Sequence, residues 1–280
     1  MMVACLSMPN VWRGDSHHEC TMIRAPMSIT CLTITQPARL AMLRRAVVDF
    51  SRQEYAAREL LIVHDAGGEF ESVLRDLIAD FPDQRIRTHT APAGTSLGEL
   101  RNRSVELADS EFVCQWDDDD RYHPLRLSMQ LQALQAESAD LCFLGDQLHW
   151  FAARGEMYWT DWNIEPYPLN FVQGTMLGRR DCLPRYPDLL RGEDTGLCLD
   201  ILRAGRRIAR MREFAWLYVY VFHGANAWSA AHHQAISAHK SLNGAQLLAR
   251  KRVLETRLGE YAPPLGHIIM PSRTGDLIFD

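Results

Sequence analysis

The sequence predicts an α/β protein with a doubly wound, Rossmann-like sheet. Short apolar or β-rich segments alternate with amphipathic helical segments four times between residues 28 and 137. This alternation is typical of a mostly parallel sheet flanked by helices. The segment 59–63 is apolar after its first residue, as expected for a strand that is covered on both faces. Polar residues follow three of the predicted strands, at the edge where open α/β sheets bind ligands.

The first half of the chain supplies four predicted strands and four predicted helices. The strands are expected at residues 28–35, 59–63, 85–90 and 112–116. The helices are expected where apolar residues recur at intervals of three and four, at residues 40–50, 70–81, 97–108 and 124–137. Pro37 fits the first turn of a helix and Pro82 closes one, because proline cannot continue a helix.

The second half is less regular. Strands are expected at residues 141–144, 171–178, 208–211 and 214–222, with one helix that stops at residue 205 and a second helical region from residue 229 to about 258. A loop-like stretch is rich in aromatic residues: Trp150, Phe151, Tyr158, Trp159, Trp162 and Tyr167. These rings are compatible with a stacking platform for a sugar, and equally with the core of a small antiparallel β layer.

Composition excludes several classes of protein. The 280 residues carry a net charge of -5 without a Lys/Arg cluster, which argues against a nucleic-acid or anionic membrane partner. The seven cysteines are odd in number and form no Cys-x-x-Cys pair, which favours a reducing compartment over structural zinc. No apolar run is long enough for a transmembrane segment. We therefore expect a soluble, cytoplasmic protein, with a disordered tail at residues 1–27 and Met27 as a plausible true start.

The most informative stretch is the run of four aspartates from Asp117 to Asp120, directly after the predicted strand 112–116. Adjacent carboxylates repel one another, and burying them is costly unless they are paired or bound to metal. Carboxylate oxygens at the end of a parallel strand favour Mg²⁺ or Mn²⁺ shared with a substrate phosphate. A charged turn that caps the next helix is the alternative. Polar groups at residues 33–36 and at Asp65 should reach the same crevice, which favours the metal and diphosphate site.

Several further features follow one another in a characteristic order. They are the polar exit of the first strand, Asp65 after the second strand, the Arg101-Asn102 pair, the run Asp117–Asp120 with Pro124, and Glu193-Asp194 at the start of a helix. This order resembles that of the inverting glycosyltransferases of family 2, which have the GT-A fold. The resemblance extends from about residue 28 to residue 228. It implies a GT-A sheet flanked by helices, a small acceptor-side β/loop region and a helical C-terminus.

The resemblance also implies roles for individual residues. The nucleotide-sugar site would comprise Thr33, Asp65, Arg101, Asp117 and Asp118. Asp119 would reach the metal, and a His-Gly-x-Asn segment makes His223 a second candidate for the metal or the diphosphate. The general base would be Asp194, although an aspartate at the start of a helix is also explained by simple capping.

The implied reaction moves a sugar from a nucleoside-diphosphate sugar to a hydroxyl of a glycan, lipid-linked or small-molecule acceptor. Mn²⁺ or Mg²⁺ would stabilise the leaving diphosphate, and one carboxylate would deprotonate the acceptor from the opposite side. Residues 28–124 would form the nucleotide-sugar half, and residues 125–228 the acceptor-binding and catalytic half. Residues 229–280 would form a helical C-terminal extension.

The sequence departs from the family pattern at two places. Residues 33–36 replace the usual Pro-x-Tyr-Asn, and His64 stands where the family often has a first aspartate, so the nucleotide is left open. Two other functions are also considered. A nucleotidyltransferase would need a Gly-rich loop after the first strand, which residues 36–39 lack. A catalytically inactive sugar-nucleotide-binding protein would be expected to lack Asp119 or Asp194, and both are present.

Overall fold

The computed structural model describes residues 27–280 except residues 83, 167, 168 and 190. The expected disordered tail lies outside the described residues apart from Met27, and so does Tyr167. The described residues form two β-sheets, with seven and six strands, and seven α-helices. The strands are β1 (Ile29–Ile34), β2 (Arg58–His64), β3 (Ile86–Thr90), β4 (Phe112–Gln115), β5 (Arg121–Tyr122), β6 (Leu141–Leu144), β7 (Asp146–Phe151), β8 (Glu156–Asp161), β9 (Leu177–Arg179), β10 (Ile208–Met211), β11 (Tyr218–Phe222), β12 (Ile268–Met270) and β13 (Leu277–Phe279).

The larger sheet has the strand order β10-β6-β9-β4-β1-β2-β3. Strand β1 pairs in parallel with β2 and β4, β2 pairs in parallel with β3, and β6 pairs in parallel with β10. Strand β9 runs antiparallel to both of its neighbours, β4 and β6. The predicted mostly parallel central sheet is therefore confirmed. Its carboxyl-terminal edge collects the ends of β1, β2 and β4, where the sequence placed the site.

Of the seven helices, the first five cover both faces of this sheet, as their apolar periodicity predicts, and the last two pack against the smaller sheet. The helices are α1 (Leu40–Ser51), α2 (Gly67–Ala79), α3 (Leu97–Leu107), α4 (Arg126–Ala136), α5 (Glu193–Arg203), α6 (Ala230–Lys240) and α7 (Gly244–Leu258). On α1, Leu43, Val47 and Phe50 are fully buried, one helical turn apart. They pack in the same core cluster as Ile29 of β1 and Leu60 of β2.

The second sheet has the order β13-β12-β8-β7-β11-β5. Most of the aromatic stretch lies in β7 and β8, which pair antiparallel over their whole length in this sheet. Trp159 of β8 is buried in the core, whereas Trp162 lies in a short 3-10 turn after β8. The region beyond residue 258, in which the sequence predicted no strand, contributes β12 and β13 to the same sheet. Such short strands are set by pairing with distant β8, which local sequence does not reveal.

The acidic segment, which is the run from Asp117 to Asp120, connects the two sheets. It leaves the first sheet after β4 and enters the second at β5, which pairs with β11. Asp49 of α1 holds this crossing, since its carboxylate accepts hydrogen bonds from Arg121 Nε at 2.8 Å and from the Tyr122 N–H at 2.9 Å. Trp116 and Tyr122 stack with ring centroids 3.8 Å apart. The four aspartates therefore lie on a short connection that is anchored at both ends.

Two further observations concern features that the sequence brought forward. Five cysteines, which are Cys31, Cys114, Cys142, Cys182 and Cys198, are buried as free thiols. Within the described part of the chain, no helix has the length and apolar character needed to cross a membrane.

Candidate active site

Two cavities meet at the carboxyl-terminal edge of the larger sheet. The first, of about 460 Å³, lies over the ends of β1, β2 and β4 and includes the acidic segment. The second, of about 480 Å³, lies between the second sheet and α6. Five residues line both cavities: Asp117, Gly192, Asp194, Tyr220 and Trp228. The junction thus carries two carboxylates that face both spaces.

Asp118 and Asp119 share one cation. Arg39, in the turn between β1 and α1, lies with Nη1 at 3.0 Å from Asp118 Oδ1 and 3.1 Å from Asp119 Oδ2. The hydroxyl of Thr35 donates to Asp118 Oδ2 at 2.7 Å. Burial, followed by the charge of Asp119, raises the pKa of Asp118 to about 7 despite these favourable contacts. The two carboxylates therefore hold fewer than two full charges near neutral pH.

Asp119 also meets the histidine that the sequence selected. His223 Nε2 lies 3.2 Å from Asp119 Oδ2, and His223 Nδ1 accepts the Ala225 N–H at 3.3 Å. Burial acts to raise the pKa of Asp119, but the hydrogen bond from His223 and the positive charge of Arg39 lower it below its ordinary value. Asp119 is therefore the carboxylate of the run that is held ionised by its surroundings.

The last aspartate points into the protein. Asp120 is buried, accepts the Val221 N–H at 2.9 Å and accepts the hydroxyl of Tyr218. Burial and the neighbouring Asp119 raise its pKa well above the ordinary value. Asp118, Asp119 and Asp120 are thus all buried, and each has hydrogen-bond or ion-pair partners within the protein. The alternative for this run was a charged turn that caps the next helix, but the N-cap position of α4 is Leu125 and no side chain caps it.

Arg101 connects the acidic segment to the start of α5. Its Nη2 donates to Asp117 Oδ1 at 3.0 Å and its Nε donates to Glu193 Oε1 at 2.9 Å. Gln115 Nε2 donates to the other oxygen of Asp117 at 2.9 Å. The Arg101 side chain is largely buried and passes over the ring of Tyr186. One guanidinium therefore connects the segment after β4, helix α3 and the start of α5.

Asp194 lies at the second position of α5. The residue that precedes the helix is Gly192, with φ 76°, a left-handed conformation that favours glycine. Asp194 is thus not the N-cap residue, although it lies in the positive first turn of the helix. Burial and the adjacent Glu193 raise the pKa of its carboxyl group. A carboxylate with a raised pKa at the junction of two cavities is a suitable proton acceptor.

The structure brings most of the selected residues to the first cavity. The predicted site residues that line it are Asp65, Arg101, Asp117, Asp118, Asp119 and Asp194. Asp65 also accepts the Gly94 N–H at 2.9 Å. His223 reaches the site through its contact with Asp119.

Thr33 is placed elsewhere. It is fully buried inside β1, and its hydroxyl donates to the Trp116 carbonyl at 2.7 Å. Thr35, two residues further on, lies beyond the end of the strand and lines the cavity. His64 is also buried, with Nε2 2.9 Å from Glu71 Oε2.

Thr35 was expected at the crevice only as one of residues 33–36 and was given no role of its own, and Arg39 was not selected. A signal for both was present, because they lie in the polar exit of the first strand and in the first turn that follows it. Gln147, His149 and His233 of the second cavity were also not selected. They come from β7 and α6, which meet only in the folded chain.

Comparison with known proteins identifies a family. The family model described as Glycosyl transferase family 2 matches residues 37–182, just over half of the chain. A curated relative from Escherichia coli (strain K12), named as a colanic acid biosynthesis glycosyl transferase, WcaA, is 29% identical over 124 residues. That match spans 44% of this chain and 43% of the relative, so less than half of the relative's length is covered.

Solved structures agree on the fold. S. aureus TarS 1-349 in complex with UDP-GlcNAc has a TM-score of 0.57 at 13% identity, covering 84% of this chain and 68% of that one. Mannosyltransferase PcManGT from Pyrobaculum calidifontis, in complex with GDP-Man and Mn²⁺, has a TM-score of 0.55 at 12% identity, covering 86% and 74% of the two chains. The predicted GT-A fold is therefore confirmed. With a family match over more than half of its length, the chain belongs to glycosyl transferase family 2.

Proposed function

We propose that the protein is a metal-dependent, inverting glycosyltransferase that moves a sugar from a nucleoside-diphosphate sugar to an acceptor hydroxyl. The observation that carries this proposal is the position of Asp194, which lines both the first, acidic cavity and the second cavity at the point where they meet. Such a carboxylate can accept a proton from a molecule in one space while a reactive donor occupies the other. Membership of glycosyl transferase family 2 supports the same reaction.

The donor would bind in the first cavity. TarS is seen with UDP-GlcNAc and the mannosyltransferase with GDP-Man, so proteins of this fold hold nucleotide sugars. Asp65, Asp117 and Thr35 offer polar groups at the strand ends, where open α/β sheets bind ligands. Arg39 would neutralise Asp118 and Asp119 or contact the diphosphate.

Asp119 and His223 would hold the metal. A carboxylate oxygen and an imidazole nitrogen 3.2 Å apart suit Mn²⁺, and oxygen ligands suit Mg²⁺. The described residues contain no group of three or more possible metal ligands, so the diphosphate and water would complete the coordination. His223 would bind through Nε2 only if its ring proton moved to Nδ1, which would break the contact with the Ala225 N–H. When bound, the metal would stabilise the negative charge of the leaving diphosphate.

Asp194 would act as the general base. The acceptor oxygen would form a bond to the anomeric carbon as its proton passes to the Asp194 carboxylate. The bond from the anomeric carbon to the diphosphate oxygen would break on the opposite side, which inverts the configuration. The raised pKa of Asp194 favours proton acceptance near neutral pH. The free thiols of the described cysteines fit a reducing compartment, and the proposal places the protein in the cytoplasm.

The test begins with calorimetric titration of UDP, GDP, CDP and dTDP, with Mn²⁺ present and then chelated. We expect one nucleotide to bind in a metal-dependent manner and Asp119→Asn to weaken that binding. Asp194→Asn should leave nucleotide binding close to wild type and reduce transfer by at least about a hundredfold. Asp109→Asn is the matched control, because the Asp109 side chain is 86% exposed.

Three outcomes would contradict the proposal in different ways. Normal transfer by Asp194→Asn would remove the base assignment. Binding of a nucleotide without any transfer would favour the inactive sugar-nucleotide-binding alternative. Release of pyrophosphate from a nucleoside triphosphate and a sugar phosphate would favour a nucleotidyltransferase.

A further inference from the structure

The second cavity has walls with an unusual set of polar atoms. Gln147 and His149 project from β7, and His233 from α6, and all three residues are more than nine-tenths buried. Gln147 Oε1, His149 Nε2 and both ring nitrogens of His233 have no hydrogen-bond partner among the described residues. The indole N–H of Trp162, on the same cavity, also has no described partner. A buried polar atom without a partner is energetically unfavourable, so a molecule in the cavity that made hydrogen bonds to these groups would be favoured.

The charges on the wall restrict what that occupant can be. The lining residues of the described chain include one lysine, Lys240, and no arginine, and Lys240 is ion-paired with Glu165. Burial lowers the pKa of His149 to about 3 and that of His233 to about 4, so both rings are neutral at pH 7. Two further carboxylates, Asp117 and Asp194, face the same space. A phosphate or carboxylate in this cavity would meet acidic groups without a free guanidinium or ammonium group.

The apolar part of the wall includes several aromatic rings beside aliphatic side chains. Trp162, Tyr220 and Trp228 line the cavity, and Trp228 is 46% exposed although it stacks on His232 with ring centroids 4.8 Å apart. Aromatic faces provide flat apolar surfaces, while indole and imidazole nitrogens provide hydrogen bonds at their edges. This combination suits a ring that has apolar faces and hydroxyl groups around its rim.

We propose that the second cavity is the acceptor site, and that it takes an uncharged, hydroxyl-rich ring such as a neutral glycosyl group. Hydroxyls can donate to Gln147 Oε1 and accept from the Trp162 N–H, whereas His149 Nε2 can serve either role. Another hydroxyl of the same ring would face Asp194 at the junction. This assignment rests on the proposed transferase function for its reaction, but the binding of the ring can be measured separately.

The test measures sugar binding directly by saturation-transfer NMR on the full chain. The uncharged probes are the methyl glycosides of glucose, galactose and mannose, and the charged probes are glucose 6-phosphate and glucuronate. Each is titrated with and without the nucleoside diphosphates and Mn²⁺. We expect saturable binding of at least one methyl glycoside and weaker binding of both charged sugars.

Matched variants locate the binding in the cavity. Trp162→Phe and Gln147→Leu should each weaken glycoside binding about three- to tenfold, because each removes one hydrogen bond to the ring. Trp150→Phe is the control, since the indole N–H of Trp150 is equally without a described partner but Trp150 does not line the cavity. The thermal midpoints of all three variants show whether the fold is intact.

The proposal is overturned if a charged sugar binds more tightly than every methyl glycoside, or if no sugar binds saturably. It is also overturned if Trp162→Phe and Gln147→Leu bind glycosides as the Trp150→Phe control does. Nucleotide titrations on the same samples separate the two levels. Nucleotide binding without sugar binding would refute only the acceptor assignment, whereas sugar binding without nucleotide binding would refute the transferase function and leave a sugar site.

Discussion

Arg101 provides a sharp test of how the site is held together. The substitution Arg101→Met keeps much of the apolar stem and removes the guanidinium that contacts Asp117 at 3.0 Å and Glu193 at 2.9 Å. The side chains of these two carboxylates are only 21% and 6% exposed. Water can therefore replace the lost contact only in part, and a buried carboxylate remains without a counter-ion.

The expected loss follows from this burial. Removing one partner of a buried ion pair costs about 3–5 kcal/mol. Gln115 still donates to Asp117, so the cost should lie near the lower end, at about 3 kcal/mol. That loss is a large fraction of the free energy of unfolding of an ordinary domain, about 5–15 kcal/mol.

The assay is urea unfolding followed by tryptophan fluorescence. Arg103→Met is the matched control, because Arg103 lies on the same helix with its side chain 46% exposed and contacts Glu106 only at 3.5 Å. The control should lose less than about 1 kcal/mol. Adding Glu193→Gln to Arg101→Met should restore part of the stability, since it removes one uncompensated charge. If Arg101→Met and Arg103→Met have equal free energies of unfolding, Arg101 does not stabilise the fold through its ion pairs with Asp117 and Glu193.

Two further predictions use paired variants. Thr35→Val should weaken nucleotide binding in calorimetry, because it removes the hydroxyl that donates to Asp118. Thr33→Val should instead lower the free energy of unfolding by about 1–3 kcal/mol and leave nucleotide affinity unchanged. Weaker nucleotide binding by Thr33→Val but not by Thr35→Val would place Thr33 in the site. Burial lowers the pKa of His149 in the folded chain to about 3, below its ordinary value of 6.5. The folded chain therefore disfavours protonation of His149, and the free energy of unfolding falls as the pH falls from 6.5 towards 3. His149→Phe should therefore reduce the slope of unfolding free energy against pH between 6 and 4 by about 1.4 kcal/mol per pH unit. The control, His239→Phe on the exposed face of α6, should leave the slope unchanged. Equal slopes for both variants would contradict the lowered pKa of His149.

The strand ends were predictable because their signal is local. Each parallel strand is a short apolar run, and the polar residue that follows it must lie at the ligand edge of the sheet. This reasoning selected Asp65 and the run from Asp117 to Asp119, and these residues line one cavity. It also placed residues 33–36 at this edge, and the family resemblance then favoured Thr33. The end of a strand is uncertain by a residue or two, and the structure has Thr33 inside β1 and Thr35 beyond its end.

The partners of each carboxylate were not predictable in the same way. Arg39 reaches Asp118 across 79 positions of the chain, and Arg101 reaches Glu193 across 92. The sequence selected Arg101 for the nucleotide-sugar site but did not reveal its ion pair with Glu193, and no local pattern distinguishes Arg39 from the exposed Arg44 nearby. The pKa of Asp118, about 7, is raised by the burial of its carboxyl group and by the charge of Asp119, so it too is a property of the folded chain.

The sequence by itself determined the class of sheet, the position of the acidic run at the end of β4, and the family to which the chain belongs. These features depend on periodicity and on the order of short motifs, which are properties of neighbouring residues. Tertiary structure alone decided that the aromatic stretch forms a β layer, that β12 and β13 complete it, and that Asp194 lies between two cavities. Those features depend on pairing and burial between segments far apart in the chain, because a strand or a cavity wall is complete only when its distant neighbour is in place.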